Sequence, residues 1–111
     1  MDNEIIVKIG DKELRFKLKS QTIVLLERVF GKNIFEIFQS LSFTTIQRVF
    51  FESLVNKDIV KDENEMMDLL LEKYGLIELG NDLLQELAVK SGIIKASDME
   101  EEESLEEIKN D

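Results

Sequence analysis

Because this sequence contains no histidine and no cysteine, the groups it offers for chemistry are chiefly carboxylates and hydroxyls. Without histidine, the usual general base near neutral pH is missing, and without either residue the common zinc sites are excluded. Ser42, Thr44 and Thr45 stand where helices are expected to begin, and a hydroxyl without a base is a poor nucleophile. The five glycines are scattered and form no phosphate-binding loop. The sequence therefore predicts no catalytic, cofactor-binding or metal site.

Carboxylates are the most abundant of these groups, and they are spread unevenly along the chain. The net charge is −10, and the segment from Asp98 to Asp111, with eight acidic residues and one lysine, contributes −7 of it. The run Glu100–Glu103 lacks the oxygen spacing and turn glycine of a calcium loop, so it is read as a solubilising segment. We expect one α+β domain over 1–95 and an acidic, disordered tail over 96–111. A net-negative chain also lacks the phosphate-neutralising charge that nucleic-acid binding requires.

The compartment is suggested by what the sequence does not contain. No apolar run approaches the roughly 18 residues of a membrane span. The first residues, MDNEIIVKIG, lack the basic start and cleavage site of a secretory signal, and the absence of cysteine fits a reducing environment. These features predict a soluble, intracellular protein that does not bind membranes.

The N-terminal segment predicts a β-hairpin with strands near 3–9 and 12–19, joined by a two-residue turn at Gly10-Asp11. Only this register satisfies both faces of the hairpin. Its apolar face pairs Ile9 with Lys12, Val7 with Leu14 and Ile5 with Phe16. Its other face sets opposite charges against each other, Lys8 with Glu13 and Glu4 with Lys17. An isolated hairpin is marginal in water, so its apolar face must be covered by the chain's own helices or by another subunit.

About five helices are expected to follow. Predicted caps are Ser20 for the first, Asn33 for the second, Ser42 or Thr44 for the third, and Asp62 with Glu65 for the fourth. The fifth should run over about 76–90, weakened by Gly80, while Gly31 and Gly92 should end the first and fifth helices. The residues expected to face the core are Ile23, Leu26, Val29, Phe30, Ile34, Ile37, Phe38, Leu41, Phe43, Ile46, Val49, Phe50, Leu54, Met66, Leu69, Leu70, Tyr74, Leu79, Leu83, Leu84 and Leu87.

Several helices contain more apolar residues than a single buried stripe can hold. Neighbours on a helix lie about 100° apart, so Phe50-Phe51 and Met66-Met67 cannot all point at the centre of one stripe. These residues either widen the core or form an apolar patch for another chain. The hypothetical partner-binding residues are Phe35, Phe38, Phe51, Met66 and Met67.

The order of three segments is similar to a known family. They are the hairpin IVKIGDKELRFKL, the helix junction VFGKNIFEIFQSLS and the later DLLLEKYGLIELGNDLLQEL. Together they resemble the tail assembly chaperones of long-tailed bacteriophages and of prophages in Gram-positive bacteria, with GKNIFEIF, Gly31–Phe38, the nearest match. The chain departs from the family in the third helix, where many members carry a Trp-Ala-Gly-like run and this sequence reads Phe50-Phe51-Glu52-Ser53.

The resemblance implies a non-catalytic function in the cytoplasm of a bacterial host. Such proteins bind the tape measure protein before the tail tube polymerises around it, keep it soluble, help recruit tail tube subunits and are absent from the finished virion. The resemblance supplies no cofactor and no set of site residues. Two alternatives stay open: an acidic inhibitor or DNA mimic, suggested by the tail, and a minor structural subunit of the phage tail. The edges of the hairpin also predict a homo-oligomer.

Overall fold

In the computed structural model, residues 3–40 and 42–94 are described, and they form a two-stranded antiparallel hairpin followed by five helices. The predicted α+β architecture is therefore confirmed. The predictions for Leu41 and for the acidic tail at 96–111 lie outside the described residues.

The hairpin has the predicted register. Strand β1 is Ile5–Ile9 and strand β2 is Lys12–Phe16, so both are shorter at their outer ends than expected. Gly10 has φ +60° while Asp11 keeps a negative φ, as a turn with glycine at its first central position requires. The paired positions are Ile5 with Phe16, Ile6 with Arg15, Val7 with Leu14, Lys8 with Glu13 and Ile9 with Lys12.

One predicted charge pair of the hairpin is replaced by another. The ladder ends at the pair of Ile5 and Phe16, so Glu4 and Lys17 do not form a ladder pair. The Glu4 carboxylate instead bonds diagonally across the strands to Arg15 Nη2 at 2.7 Å. The backbone N–H of Lys17 points away from β1 and donates to the carbonyl of Ser53 at 2.8 Å.

The outer edge of β2 is sealed by the segment that leaves the third helix. In addition to the bond from Lys17 to Ser53, the Val55 N–H donates to the Arg15 carbonyl at 2.7 Å. The Asn56 side chain completes the seal, since its Oδ1 accepts from the Arg15 N–H at 3.1 Å and its Nδ2 donates to the Glu13 carbonyl at 2.8 Å. Both backbone groups of Arg15, the Glu13 carbonyl and the Lys17 N–H are therefore paired along this edge.

The five helices lie close to their predicted positions. They are α1, Ser20–Phe30; α2, Ile34–Gln39; α3, Phe43–Ser53; α4, Glu63–Lys73; and α5, spanning 76–90. A single 3₁₀ turn, Lys57–Ile59, separates α3 from α4.

The helix ends follow the predicted capping chemistry in most cases. Gly31 ends α1 with φ +64°. Asn33 and Glu36 form a reciprocal capping box on α2, and Asp62 Oδ1 accepts from the Glu65 N–H at 2.9 Å on α4. Ser20 is a correction: it lies in the first turn of α1, and the cap position is occupied by Lys19, whose side chain makes no capping bond.

Helix α5 contains a wide turn around Gly80. Residues Leu79–Leu83 form a π-helical turn between the α-helical stretches Leu76–Glu78 and Leu84–Lys90. The extra residue in this turn rotates the following stretch, and Leu79, Leu83, Leu84 and Leu87 are all buried. Gly80, which was predicted to weaken the helix, thus lies within a π-helical turn, and the helix continues past it.

The core lies between the inner face of the hairpin and the helices. Helices α4 and α5 contact β1, and the Phe16 ring meets the Phe50 ring of α3 edge to face, with centroids 5.3 Å apart. The apolar face of the hairpin is therefore covered by the chain's own helices. The buried residues of the hairpin are Ile5, Val7, Leu14 and Phe16.

Candidate partner-binding surface

Three of the five predicted partner-binding residues lie in the core. Phe38, Met66 and Met67 are each at most 4% exposed, so the prediction that they form a surface patch is wrong. Phe38 follows the buried stripe of α2 together with Ile34 and Ile37. It faces inward because its spacing from those residues is the spacing of a single helix face.

The methionine pair is buried for a different reason. Helix α4 packs against α3 on one side and against β1 on another, so its buried stripe is wide enough to hold two neighbouring side chains. Met66 and Met67 are both enclosed by these contacts. Of the two readings that the sequence left open, the wider core is the correct one for this pair.

The other two predicted residues reach the surface to different degrees. Phe51 is half-buried, packs against the core and has the Lys57 ammonium 5.5 Å from the centre of its ring. Phe35, at 54% exposed, is open to solvent near the start of α2. Phe35 alone therefore keeps the full exposure that the prediction required.

Helix α1 exposes more apolar residues than α2 does, and none of them is among the residues that the sequence predicts to bind a partner. We define the α1 face as Gln21, Val24, Leu25, Arg28 and Val29, which project over neighbouring angles of one helix. Its three apolar members are 40–46% exposed. The first four residues of the face line one shallow depression, together with Ser20. The α1 face thus places three exposed apolar side chains on neighbouring positions of one helix.

Two residues that the sequence predicts to face the core are exposed instead. The first is Val29: Leu26 is the one fully buried residue of α1, with Ile23 and Phe30 half-buried beside it. The signal was present in the sequence: Val24-Leu25 is an adjacent apolar pair like the two pairs discussed above. The second is Phe43, which is exposed at the first turn of α3.

Helix α1 carries two charged side chains, Glu27 and Arg28, and only Arg28 belongs to the α1 face. The Glu27 carboxylate accepts a hydrogen bond from the Ile34 N–H at 2.8 Å, so it is held at the junction with α2. Arg28 lines the depression beside Val24 and Leu25. The depression thus combines apolar side chains with one cation, although the chain as a whole carries a net charge of −10.

The described residues bring no metal-binding cluster together. Among residues 3–40 and 42–94, no three aspartates or glutamates gather closely enough to hold a metal ion. Burial raises the pKa of the Tyr74 hydroxyl, and the negative charges of Glu78 and Glu86 raise it further. None of the helices in this part of the chain combines the length and the apolar character needed to cross a membrane.

Comparison with known protein families, with curated protein sequences and with solved structures found no match to this chain.

Proposed function

We propose that this chain is a non-catalytic tail assembly chaperone that binds the tape measure protein and keeps it soluble while the phage tail is built in the bacterial cytoplasm. In this role it also helps to recruit tail tube subunits. The proposal starts from the resemblance carried by the hairpin, by GKNIFEIF and by DLLLEKYG. The observation that supports it best is the exposed apolar surface of the α1 face.

The physical demands on such a protein match the properties of this surface. A chaperone that shields an insoluble client needs exposed apolar area to bind it and net charge to stay in solution. Val24, Leu25 and Val29 supply the apolar area, and Arg28 can meet a carboxylate of the client. Phe35, exposed on α2, offers one further apolar side chain at the surface.

The strength of this contact can be worked out from the exposure of its residues. Full burial of a leucine or valine side chain is worth about 1.5–3 kcal/mol, and 40–46% of each residue on the α1 face remains to be covered. Each therefore contributes about 1 kcal/mol to client binding. Removing two of them should weaken binding by about 2 kcal/mol, roughly thirtyfold.

The test is co-expression of the chain with its proposed client, a tape measure protein. We expect the tape measure protein to be soluble only when the chain is present, and to return to the insoluble fraction with the variant Leu25→Ser/Val29→Ser. The matched control is Ile77→Ser, which removes an even more exposed apolar residue, 67% exposed, from another helix. Circular dichroism of each variant verifies that it is folded.

The outcomes of this experiment test the chaperone function and the assignment of the α1 face separately. A tape measure protein that stays insoluble with the wild-type chain contradicts the chaperone function itself. Equal rescue by wild type and by Leu25→Ser/Val29→Ser contradicts only the assignment of the α1 face.

The charge of −7 from Asp98 to Asp111 favours a second candidate function, an acidic inhibitor that presents carboxylates to a basic protein. Truncation after Ala96 distinguishes the two functions. The chaperone should retain most of its client binding, whereas an acidic mimic should lose its activity. A structural tail subunit, in contrast to both, would be found in purified phage particles.

A further inference from the structure

The two edges of the hairpin differ in how many of their backbone groups bond to other described residues. The edge of β2 is sealed by residues 53–56, as described above. Because Arg15 directs both of its backbone groups toward that segment, it forms a non-hydrogen-bonded pair with the residue opposite, which is Ile6. The N–H and the carbonyl of Ile6 must therefore point away from β2, along the outer edge of β1.

This outer edge is open at its centre. No described residue outside the hairpin bonds to the backbone of Ile6, and its side chain is 47% exposed. On either side, two lysine side chains reach the edge: Lys73 Nζ donates to the Lys8 carbonyl at 3.1 Å and Lys90 Nζ donates to the Glu4 carbonyl at 3.4 Å. An open strand edge is a template for pairing with another strand.

We propose that the strand which pairs with this edge is β1 of a second copy of the chain, running antiparallel and centred on Ile6. The result is a four-stranded sheet in which the two β1 strands lie in the middle. This inference goes beyond the chaperone function, and it holds for the chain alone, whether or not a client is bound.

The register follows from the charges of β1. With Ile6 opposite Ile6 of the second copy, Glu4 stands opposite Lys8 of that copy, and Lys8 opposite its Glu4. Opposite charges facing each other across strands contribute roughly 0.2–1 kcal/mol per pair, and the two-fold symmetry gives this pair twice. On the inner face, Ile5 meets Val7 of the second copy, so the apolar surface of the sheet continues across the contact.

Other arrangements lose this match. A shift by two residues in one direction sets Ile6 opposite Lys8 and Glu4 opposite Gly10 of the second copy. The shift in the other direction sets Ile6 opposite Glu4 and moves the position opposite Lys8 to residue 2, before the start of strand β1. A parallel pairing in register sets Glu4 beside Glu4 and Lys8 beside Lys8, which is repulsive. The centred antiparallel register also agrees with the direction of the backbone groups, because in it Ile6 exchanges both hydrogen bonds with its symmetry mate.

The two lysines at the edge do not block this pairing. Both lysines are exposed, and their bonds to the edge carbonyls lie at the surface. When a second strand arrives, its N–H groups replace the ammonium groups at the carbonyls, and the lysine side chains return to water. In the monomer, the same lysines cover part of the edge, which is a common protection against uncontrolled strand pairing.

The first test is disulfide formation by the variant Ile6→Cys. The chain contains no cysteine, so a single introduced thiol reports on a single contact. In the proposed pairing the two Cα atoms lie about 5.5 Å apart, within the range that a disulfide spans. The matched control is Glu13→Cys, an exposed position on β2, whose edge is sealed. Much faster formation of a covalent dimer by Ile6→Cys is expected, and equal rates for the two variants would overturn the proposal.

The second test reverses the charges one at a time. Glu4→Lys and Lys8→Glu each set like charges across the two-fold axis, so each variant alone should associate more weakly than wild type in sedimentation equilibrium. An equimolar mixture of the two restores opposite charges at both positions and should associate more strongly than either variant alone. The variant Glu4→Lys also loses the bond between Glu4 and Arg15. A chain with this change lacks that bond both alone and in the mixture, so the loss cannot explain stronger association in the mixture. A mixture that associates no better than its components contradicts the register.

Discussion

The side-chain amide of Asn56 joins the connection after α3 to β2, and its removal gives a direct measure of how firmly that edge is sealed. The change Asn56→Ala removes the acceptor of the Arg15 N–H and the donor to the Glu13 carbonyl. A hydrogen bond of this kind contributes about 0.5–1.5 kcal/mol net. Because these bonds are partly or fully open to water, which can replace Asn56, the free energy of unfolding should fall by about 1–2 kcal/mol.

The assay is urea unfolding followed by circular dichroism, in which a loss of this size moves the midpoint by roughly 0.5–1 M. Asn56→Asp keeps an acceptor for Arg15 but loses the donor to Glu13, so it should fall between wild type and Asn56→Ala. Asn64→Ala is the control, because its exposed amide accepts one bond from the Gln47 side chain and should matter little. An Asn56→Ala variant as stable as the Asn64→Ala control would refute the reasoning and leave the seal to the backbone bonds alone.

Three further predictions concern the core, one turn and one ionisable group. Met67→Ala should lower the free energy of unfolding by about 2–4 kcal/mol in urea unfolding, since the residue is buried, whereas Leu25→Ala on the exposed α1 face should cost under about 1 kcal/mol. Gly31→Ala should lower the free energy of unfolding by about 1 kcal/mol in the same assay, because alanine is strained at a φ of +64°. The loss should not be larger, since the added Cβ would have no atom within 4 Å to clash with. Tyr74 is the only tyrosine, and its raised pKa should appear as a late tyrosinate absorbance in a pH titration; a midpoint at or below 10.0 contradicts it. The folded chain then holds this proton more tightly than the unfolded chain, so stability falls as pH rises above 10.0 through the folded pKa, and Tyr74→Phe removes that part of the fall.

The hairpin could be predicted in detail because two independent patterns agree on one register. The apolar residues of β1 and β2 alternate with charged residues of opposite sign, and a slip by one residue would spoil both faces. The cap formed by Asn33 and Glu36 and the stop at Gly31 were predictable for a similar reason. Each depends on residues within four positions of one another, where the backbone geometry is fixed by the helix itself.

The burial of Met66 and Met67 could not be predicted in this way. How wide a buried stripe must be depends on how many elements cover the helix, and α4 is covered by both α3 and β1. The sealing of β2 is equally remote from any local pattern, because Asn56 bonds to residues more than forty positions away. The same dependence on tertiary packing limits the prediction of the candidate site. The sequence shows adjacent apolar residues on both α1 and α4, but those on α4 are buried whereas Val24 and Leu25 on α1 are exposed.

The α1 face and the β1 edge belong to different elements, and this separation has a consequence for the proposed chaperone. The packing of α1 runs through α2 and α3, whereas β1 packs on α4 and α5. A copy that uses β1 to pair with a second copy therefore keeps Leu25 and Val29 exposed. Each two-fold pair would then present two α1 faces, so a single long client could bind both at once with an avidity above that of one copy. Charge reversal at Lys8 should accordingly weaken binding to a long client more than binding to a short fragment that can reach only one α1 face.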